Sequence, residues 1–407
     1  MCFLLNSRET VFAALFFAPH AHTLVILGHY FVWLMFFCSL AYYVVATLAA
    51  LRFPLRKREK ESPEFTPHVS VLKPVHGVDF GSQENFASFC AQNYPNYEIL
   101  FAVNDESDPA VPFIRKLIAE HPERTIRLLT GAPFLGENRK VNNLALMVRE
   151  ASHEILVITD GDVRVGPDYL RNVVAPFADS GTGASTSLYR GVAQNSFFGE
   201  LEALGSATDF AAGVLVAERM EGLNFALGAS VVTTKSWIQR IGGLEPISQL
   251  LADDYELGHR IAEAGGEVVL SSEVVATMYP RQTLRGFWDH QLRWARTVRL
   301  CRPLSYFGLI FTHGLLWTVL VAFLAPTKAV AAACLAAYLV LRLAMAWSVG
   351  VCVLHDETVR RRWWFVPLRD AIHFVIWLAS FASNRVTWGD AQFTMKKGEM
   401  IPVRNSQ

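Results

Sequence analysis

The feature that most constrains this chain is a stretch of 29 residues without a formal charge, from Thr23 to Leu51. About 20 apolar residues are enough for a helix to cross a bilayer, so the stretch predicts a membrane-spanning helix. A cleaved signal peptide has a shorter apolar core and a basic start, whereas here the basic residues follow the core. They are Arg52, Arg56, Lys57, Arg58 and Lys60. By the positive-inside rule, the N-terminus lies outside and the chain after Arg52 lies in the cytosol.

Two further apolar stretches near the other end of the chain predict two more spans, at about 304–325 and 329–354. The second is interrupted by Arg342 alone. A charged residue within a span either belongs to a functional site or faces other helices or water, and the sequence leaves both alternatives open. A third stretch, at 363–383, is short for a span, and whether it crosses stays open.

The chain therefore divides into three predicted parts. They are an N-terminal transmembrane anchor (1–61), a cytosolic domain (62–300) and a C-terminal membrane region (301–407). The 37 basic residues balance the 37 acidic ones, so the chain lacks the basic surface that a nucleic-acid partner requires. Its six cysteines include no C-x-x-C pair, which argues against a disulfide framework and against a structural zinc site.

Strand and helix patterns alternate in the predicted cytosolic domain. Buried-strand patterns at Val69–Leu72, Tyr97–Val103 and Ile155–Thr159 are separated by helical patterns at Asp108–Glu120 and Lys140–Glu150. The alternation predicts an α/β domain with a mostly parallel, Rossmann-like sheet covered by helices on both faces. In such a sheet the ligand binds outside the carboxyl ends of the strands.

Acidic residues stand where this binding edge is expected. Asp105 follows the second strand, and Asp160 and Asp162 follow the third, on either side of a glycine. A strand-end aspartate is often only a turn residue, but two carboxylates in a D-x-D arrangement suit a divalent cation that also binds phosphate oxygens. Asp253 and Asp254 open a later helix, where one of them can cap the helix and leave the other free.

Two amphipathic helices are expected to lie along the membrane surface, at about 197–219 and 281–300. The first carries four acids, too many for a span. The second contains Arg293 and Trp294, and its arginines either contact lipid headgroups or bind an anionic leaving group, two roles that are compatible. Lys140 is similarly either a solvated helix start or a contact for donor phosphate or ribose.

Six motifs occur together and in order along the predicted cytosolic domain. They are VSVLKPVHGVD (69–79), YPNYEILFAVNDESDPA (94–110), NRKVNNL (138–144), TDGDVRV (159–165), LADDYEL (251–257) and LRWAR (292–296). With these motifs the chain resembles the ceramide glucosyltransferase family. That family belongs to the inverting, GT-A-type glycosyltransferases and includes bacterial relatives that glycosylate hopanoid lipids. Its signature is three aspartates followed by a (Q/R)-x-x-R-W box.

The resemblance implies a role for each matching aspartate. Asp105 would contact the uridine of a UDP-sugar, Asp160 with Asp162 would serve the metal and the diphosphate, and Asp254 would be the base. The second motif departs from the family, because Asp-Gly-Asp stands here where the ceramide enzymes usually have Asp-Ser-Gly.

The box also matches with one departure. Arg293 and Trp294 end it and would bind substrate, but its first position is His290 instead of Gln or Arg. Gln291 stands next to His290. It is therefore open which side chain helps to hold the diphosphate or the acceptor.

These residues suit glycosyl transfer with inversion. A divalent cation, Mg²⁺ or Mn²⁺, at Asp160 and Asp162 would stabilise the departing diphosphate together with Arg293. Asp254 would accept the proton of a lipid hydroxyl, and the like charge of Asp253 would raise its pKa. One base without a nucleophilic carboxylate implies inversion.

The expected donor is UDP-glucose or UDP-N-acetylglucosamine, and the expected acceptor is ceramide or, alternatively, a hopanoid polyol. A processive polysaccharide synthase shares the signature but usually has more membrane helices after the catalytic domain. An inactive membrane scaffold is a further alternative, which predicts degraded acidic motifs, whereas all three are present.

Overall fold

The computed structural model describes residues 7–57, 65–389, 391–396 and 398–403, without the side chains of 7–22 and 54–57. The boundary predicted between residues 61 and 62 lies outside these ranges, as do Arg58 and Lys60 of the basic cluster. The first helix, α1, covers Ser7–Lys57. Its part from Thr23 to Phe53 is long and apolar enough to cross a membrane, and it contains the predicted span at 23–51.

An eight-stranded sheet forms the centre of the domain after α1. Its strands are β1 (Val69–Pro74), β2 (Tyr97–Ala102), β3 (Thr125–Leu129), β4 (Ile155–Ile158), β5 (Val163–Arg164), β6 (Thr182–Ala193), β7 (Val231–Thr234) and β8 (Glu267–Tyr279). They lie in the order β3-β2-β1-β4-β7-β6-β8-β5. The first four are mutually parallel and β6 is parallel to β8, whereas β7 and β5 run antiparallel to their neighbours. The predicted α/β class with a mostly parallel sheet is confirmed.

Helices fill the connections between the strands. They are α2 (Ser82–Cys90), α3 (Val111–Glu120), α4 (Arg139–Glu150), α5 (Tyr169–Val174), α6 (Phe197–Gly205), α7 (Ala211–Glu221), α8 (Lys235–Arg240), α9 (Asp253–Glu263) and α10 (Leu284–Cys301). The helix predicted from Asp108 begins at Val111 instead. The Asp108 carboxylate accepts hydrogen bonds from the N–H groups of Gly77 and Ala110, and so it holds the turn before α3.

Both stretches predicted to lie along the membrane are helical. The first consists of α6 and α7, joined by a π-helical turn at Ser206–Phe210, and the second is α10. Their placement at a membrane surface stays a prediction.

Five helices follow α10: α11 (Pro303–Gly308), α12 (Gly314–Leu324), α13 (Lys328–Trp347), α14 (Glu357–Arg362) and α15 (Val366–Ser380). The span predicted at 304–325 is broken by a bend of 47° before α12, so it is either a kinked span or a re-entrant loop. The helix from Lys328 to Val353 is long and apolar enough to cross, as predicted. Within the described ranges, two helices meet this criterion, or three if the bent pair forms one span. The candidate at 363–383 stays open, since α15 has 15 residues and holds Arg369 and Asp370.

The end of the described chain is an antiparallel meander of β9 (Arg385–Trp388), β10 (Ala391–Lys396) and β11 (Glu399–Pro402). It packs on the segment that precedes α9. Leu251 belongs to the same apolar cluster as the meander residues Phe393 and Met395, and the Met400 N–H donates to the Gln249 carbonyl at 2.8 Å. The end of the chain therefore supports the start of the helix that opens with the two predicted acids.

One apolar cluster joins the sheet to the candidate membrane helices. It contains Leu72 of β1 and Leu156 of β4 together with Tyr43 of α1 and Tyr338 of α13, all buried. The sheet and the candidate membrane helices thus share a core, which fixes the position of the sheet relative to α1 and α13.

Candidate active site

Lys73 lies beneath the carboxyl edge of the sheet, at the end of β1. It is fully buried, and its Nζ donates to the Asp160 carbonyl at 2.7 Å and to the Thr159 hydroxyl at 3.2 Å. Burial lowers the pKa of the lysine to about 7, against the opposing charges of Asp162 and Asp160. Lys73 was not predicted as a site residue, although it stands inside one of the family motifs. It fixes the backbone on which the D-x-D pair is mounted.

The D-x-D pair follows β4 directly, as predicted. Burial, then the negative charges of Asp160 and Asp79, raise the pKa of Asp162 to about 7. Burial and like charge both disfavour the ionised form of Asp162, and a bound cation would offset them. No cluster of three or more His, Cys, Asp or Glu side chains converges on one point in the described part of the chain. The pair therefore fits a cation that takes one or two carboxylates and completes its shell with phosphate oxygens and water.

Lys140 links two of the predicted acidic groups. Its Nζ lies 2.7 Å from Asp160 Oδ1 and 3.3 Å from Asp253 Oδ2. Burial disfavours the charged ammonium, but the carboxylates of Asp160, Asp253 and Asp254 outweigh it and raise the pKa of Lys140. Lys140 is therefore ion-paired and 20% exposed, and its contact with donor phosphate or ribose stays a prediction.

Asp253 is held by the start of α4 and does not cap its own helix. The residue at the cap position of α9 is Ala252, and no side chain caps this end. Instead the Asn138 amide donates to Asp253 Oδ1 at 3.3 Å and to the Leu250 carbonyl at 2.7 Å, while Asn138 itself caps α4. Asn138 stands in a quoted motif but was not predicted as a site residue. It ties the Lys140 helix to the Asp253 helix.

Asp254 faces the same space as Asp160. A Cβ atom at Gly228 would lie 2.8 Å from Asp254 Oδ2 and 3.5 Å from Asp160 Oδ2, so a glycine is needed between the two carboxylates. Burial, followed by the charge of Asp253, raises the pKa of Asp254 to about 6, while Lys140 and the Tyr255 N–H act in the opposite direction. A carboxylate with this pKa is ionised at neutral pH and is basic enough to accept a proton.

Asp105 lies apart from these groups, on an adjoining cleft. The cleft has a volume of about 430 Å³ and is lined by His76, Asn104, Asp105, Ser107, Asp108, Pro109, Ala132, Phe134, Arg139 and Asn142. Hydrogen bonds from the Ser107 hydroxyl and N–H lower the pKa of Asp105. Phe134 is 74% exposed and offers a free aromatic face at the cleft. A charged carboxylate beside an open ring suits a nucleoside.

Arg293 and Trp294 come from α10. The Trp294 ring contacts Tyr189 at 6.3 Å and Phe210 at 5.9 Å, both edge to face. The guanidinium of Arg293 has no hydrogen bond or ion pair within 4.0 Å among the described residues, and burial lowers its pKa despite the nearby charge of Glu202. A half-buried guanidinium without a close partner is suited to an incoming anion.

His290, the departure in the box, turns toward Glu202 of α6. Its Nδ1 contacts the buried Glu202 carboxylate, which also accepts a hydrogen bond from the Gln282 amide. The neighbouring Gln291 accepts a hydrogen bond from Arg369 at 2.7 Å. From the sequence, Glu202 was only one of the four acids that argued against a membrane span at 197–219. In the structure, its buried carboxylate holds His290, the first residue of the box.

The predicted site residues therefore fall into three neighbouring groups. Lys140 joins Asp160 to Asp253, and Asp254 faces Asp160 across Gly228, with Asp162 two residues further along the chain. Asp105 lines the adjoining cleft, and Arg293 with Trp294 stands on the helix near Tyr189. A lysine between two carboxylates, with a candidate base beside them, can help to hold a diphosphate and accept a proton.

Comparison with known proteins agrees with a glycosyltransferase. The profile of glycosyl transferase family 21 matches residues 31–401, and the chain belongs to this family. Ceramide glucosyltransferase 1 of Caenorhabditis elegans is 27% identical over 256 residues, which are 62% of this chain and 55% of the relative. Ceramide glucosyltransferase 3 of the same organism is 24% identical, over 67% of this chain and 58% of the relative. The matches thus span little more than half the length of these curated relatives.

Among solved structures, a mannosyltransferase from Pyrobaculum calidifontis in complex with GDP-mannose and Mn²⁺ is 18% identical. It covers 84% of this chain and 99% of its own, with a TM-score of 0.47.

Proposed function

We propose that this protein is a membrane-bound hexosyltransferase that moves a sugar from a UDP-sugar to a lipid hydroxyl with inversion. The single observation that carries the proposal is the convergence of Lys140 on Asp160 and Asp253, with Asp254 facing the same space across Gly228. Membership of glycosyl transferase family 21 and the similarity to ceramide glucosyltransferases support it.

The donor occupies the carboxyl edge of the sheet in this proposal. Asp105 binds the uridine in the cleft beside Phe134, while Lys140 and Arg293 neutralise the diphosphate. Asp160 and Asp162 would hold a divalent cation, Mg²⁺ or Mn²⁺, which when bound supplies positive charge to the leaving diphosphate.

Asp254 acts as the general base. Its carboxylate takes the proton of the acceptor hydroxyl while that oxygen attacks the anomeric carbon, and the bond to the diphosphate breaks on the opposite face. The bonding electron pair leaves with the diphosphate. Asp253 keeps Asp254 basic through its like charge and is itself fixed by Asn138.

The acceptor approaches from the bilayer. Within the described ranges, two helices are long and apolar enough to cross a membrane, or three if the bent pair forms one span. Trp294 packs on Phe210, and the adjacent Asp209 pairs with Arg342 of the candidate span α13. A cytosolic domain, with the N-terminus outside, follows from the basic residues after the first span and gives access to nucleotide sugars. We infer a multi-pass protein with ceramide as acceptor and UDP-glucose as donor, and with a hopanoid polyol and UDP-N-acetylglucosamine as the alternative pair.

The test is to incubate detergent-solubilised protein with each of the two UDP-sugars and each of the two lipids and to identify the lipid products by mass spectrometry. We expect one pair to give a β-linked glycolipid with release of UDP. The absence of product from all pairs would favour an inactive scaffold, and a polymer would favour a polysaccharide synthase.

The Asp254→Asn variant tests the base. It should abolish transfer but retain UDP-sugar binding, measured by calorimetry, because the amide cannot accept the proton. Asp289→Asn is the matched control, since Asp289 lies on the exposed side of α10 with 60% of its side chain accessible. Normal turnover by Asp254→Asn would show that the assignment is wrong.

A further inference from the structure

A cavity of about 280 Å³ lies beside the π-helical turn, between α1, α12, α13 and α15. Its walls are largely apolar and include Leu315, Leu316, Val319, Met345, Phe374 and Val375. Val319 and Val375 are 46% and 50% exposed, so the cavity opens between α12 and α15. In a bilayer, this opening faces the lipid.

The polar side of the cavity is an ion-paired cluster without excess charge. Arg342 is 2% exposed, and it donates to Asp370 Oδ1 and to Asp209 Oδ1, each at 2.6 Å. Arg369 lies 3.6 Å from the other Asp209 oxygen. Two guanidinium groups thus balance two carboxylates, which leaves no net charge to attract an ionic headgroup.

Hydrogen-bonding capacity remains unused beside the cavity. His313 is 5% exposed, and its Nε2 has no hydrogen-bond partner among the described residues. Asp209 Oδ2 makes no hydrogen bond there either, but Arg369 Nε and His373 Nδ1 each lie 3.6 Å from it, so its charge is partly balanced. The ring of His373, which also lines the cavity, lies 5.0 Å from that of His313. Buried polar atoms without partners cost stability, so a ligand that hydrogen-bonds to them is favoured.

The cavity leaves room for an additional side chain on α7. A Cβ atom added at Gly213, a lining residue on α7, would meet nothing within 4 Å. The cavity also adjoins the transfer site, because Phe210, the residue after Asp209, packs on Trp294.

We propose that this cavity binds a neutral lipid with a hydroxyl or amide headgroup, drawn from the bilayer through the opening between α12 and α15. The headgroup hydrogen-bonds beside Asp209 and His313, and a chain leaves past Val319 and Val375. This binding does not depend on glycosyl transfer. The lipid is either the acceptor itself or a neutral lipid of the surrounding bilayer.

The test uses the full chain in mixed micelles with three lipids that carry a photoactivatable group on the acyl chain: a ceramide, a diacylglycerol and a phosphatidylserine. Cross-linked peptides are mapped by mass spectrometry. We expect the ceramide to label α12 and α15. Gly213→Leu, which fills the cavity, and Val319→Trp, which closes its mouth, should each reduce this labelling about tenfold or more, the factor that corresponds to ~1.4 kcal/mol.

The matched control is Gly28→Leu, which adds the same side chain to an exposed position on α1 where a Cβ atom also meets nothing within 4 Å. Its labelling should equal that of the unmodified chain. Calorimetric binding of UDP is measured for every variant, so a defect in the donor site is distinguished from loss of the lipid pocket. Equal labelling by ceramide and diacylglycerol identifies a bilayer lipid, and labelling by ceramide alone identifies the acceptor. Equal labelling by phosphatidylserine, or full labelling of both pocket variants, would overturn the proposal.

Discussion

The pH dependence of transfer should move in opposite directions when the two charged neighbours of Asp254 are removed. Asp254 must be ionised to accept a proton, and its pKa is raised to about 6 by burial and by the charge of Asp253, against Lys140. Asp253→Asn removes a negative neighbour and should lower this pKa. Lys140→Gln removes a positive neighbour and should raise it.

The size of each pKa shift depends on the distance of the neighbouring charge and on its exposure to solvent. A neighbouring charge within a few ångströms moves a carboxyl pKa by roughly one unit or more, which corresponds to about 1.4 kcal/mol. Lys140 is 20% exposed, so solvent screens its charge only in part. With a shift of about one unit in each direction, the ionised fraction of Asp254 at pH 6 changes from about a half to about nine tenths in Asp253→Asn and about one tenth in Lys140→Gln.

The assay is kcat as a function of pH between 5 and 8, with donor and acceptor saturating. Lys140→Gln should also raise the KM for the UDP-sugar and lower the overall kcat. The pKa is read from the midpoint of the acidic limb of the profile, and this midpoint does not depend on the maximal kcat. Asp289→Asn should leave the limb in place. The reasoning is refuted if both variants shift the limb in the same direction, or if neither shifts it.

Three further outcomes are expected. Gly228→Ala should reduce kcat about tenfold or more, because its Cβ would lie 2.8 Å from the carboxylate of Asp254, the proposed base, whereas Gly166→Ala, with open space around it, should not. Arg342→Met should lower stability by about 3–5 kcal/mol in thermal unfolding, and adding Asp370→Asn should restore part of the loss; an unchanged Tm would contradict this. The folded pKa of Asp162 is about 7, above its ordinary value of 3.8, so the folded state binds the extra proton. Stability without divalent cations should fall as pH rises from about 4 to 7, and denaturant titrations should show a smaller fall in Asp162→Asn.

The placement of Asp105 and Asp160 at the same edge of the sheet was predictable because the strands themselves were. Apolar strands before Asp105 and Asp160 placed both residues at the carboxyl edge of a parallel sheet, and that rule does not depend on side-chain packing. The space shared by Asp254 and Asp160 was not predictable in the same way. It depends on the pairing of β4 with the antiparallel β7 and on Gly228 just before β7.

Lys73 and Glu202 show what local patterns miss. A lysine before a proline at the end of an apolar strand has the pattern of a solvated strand end, yet β1 lies between β2 and β4 and buries it. Glu202 contacts His290 and Gln282, which are 88 and 80 residues away along the chain. No periodicity within α6 could reveal such partners, because they are brought there by the tertiary fold. For Arg342, by contrast, the sequence left two alternatives, and the structure shows it facing other helices.

The π-helical turn at Ser206–Phe210 links the proposed donor site to the helices that are apolar enough for a bilayer. Within this turn, Asp209 pairs with Arg342 of α13, and the next residue, Phe210, packs against Trp294 and Tyr189. π-helical turns occur often at functional sites, because the extra residue turns neighbouring side chains in directions that a regular helix does not allow. The position of Trp294 therefore depends on the ion-paired cluster as well as on the sheet. A substitution that breaks the cluster should change acceptor use more than UDP binding, since Lys140 and the acidic groups are held by α4, α9 and β4.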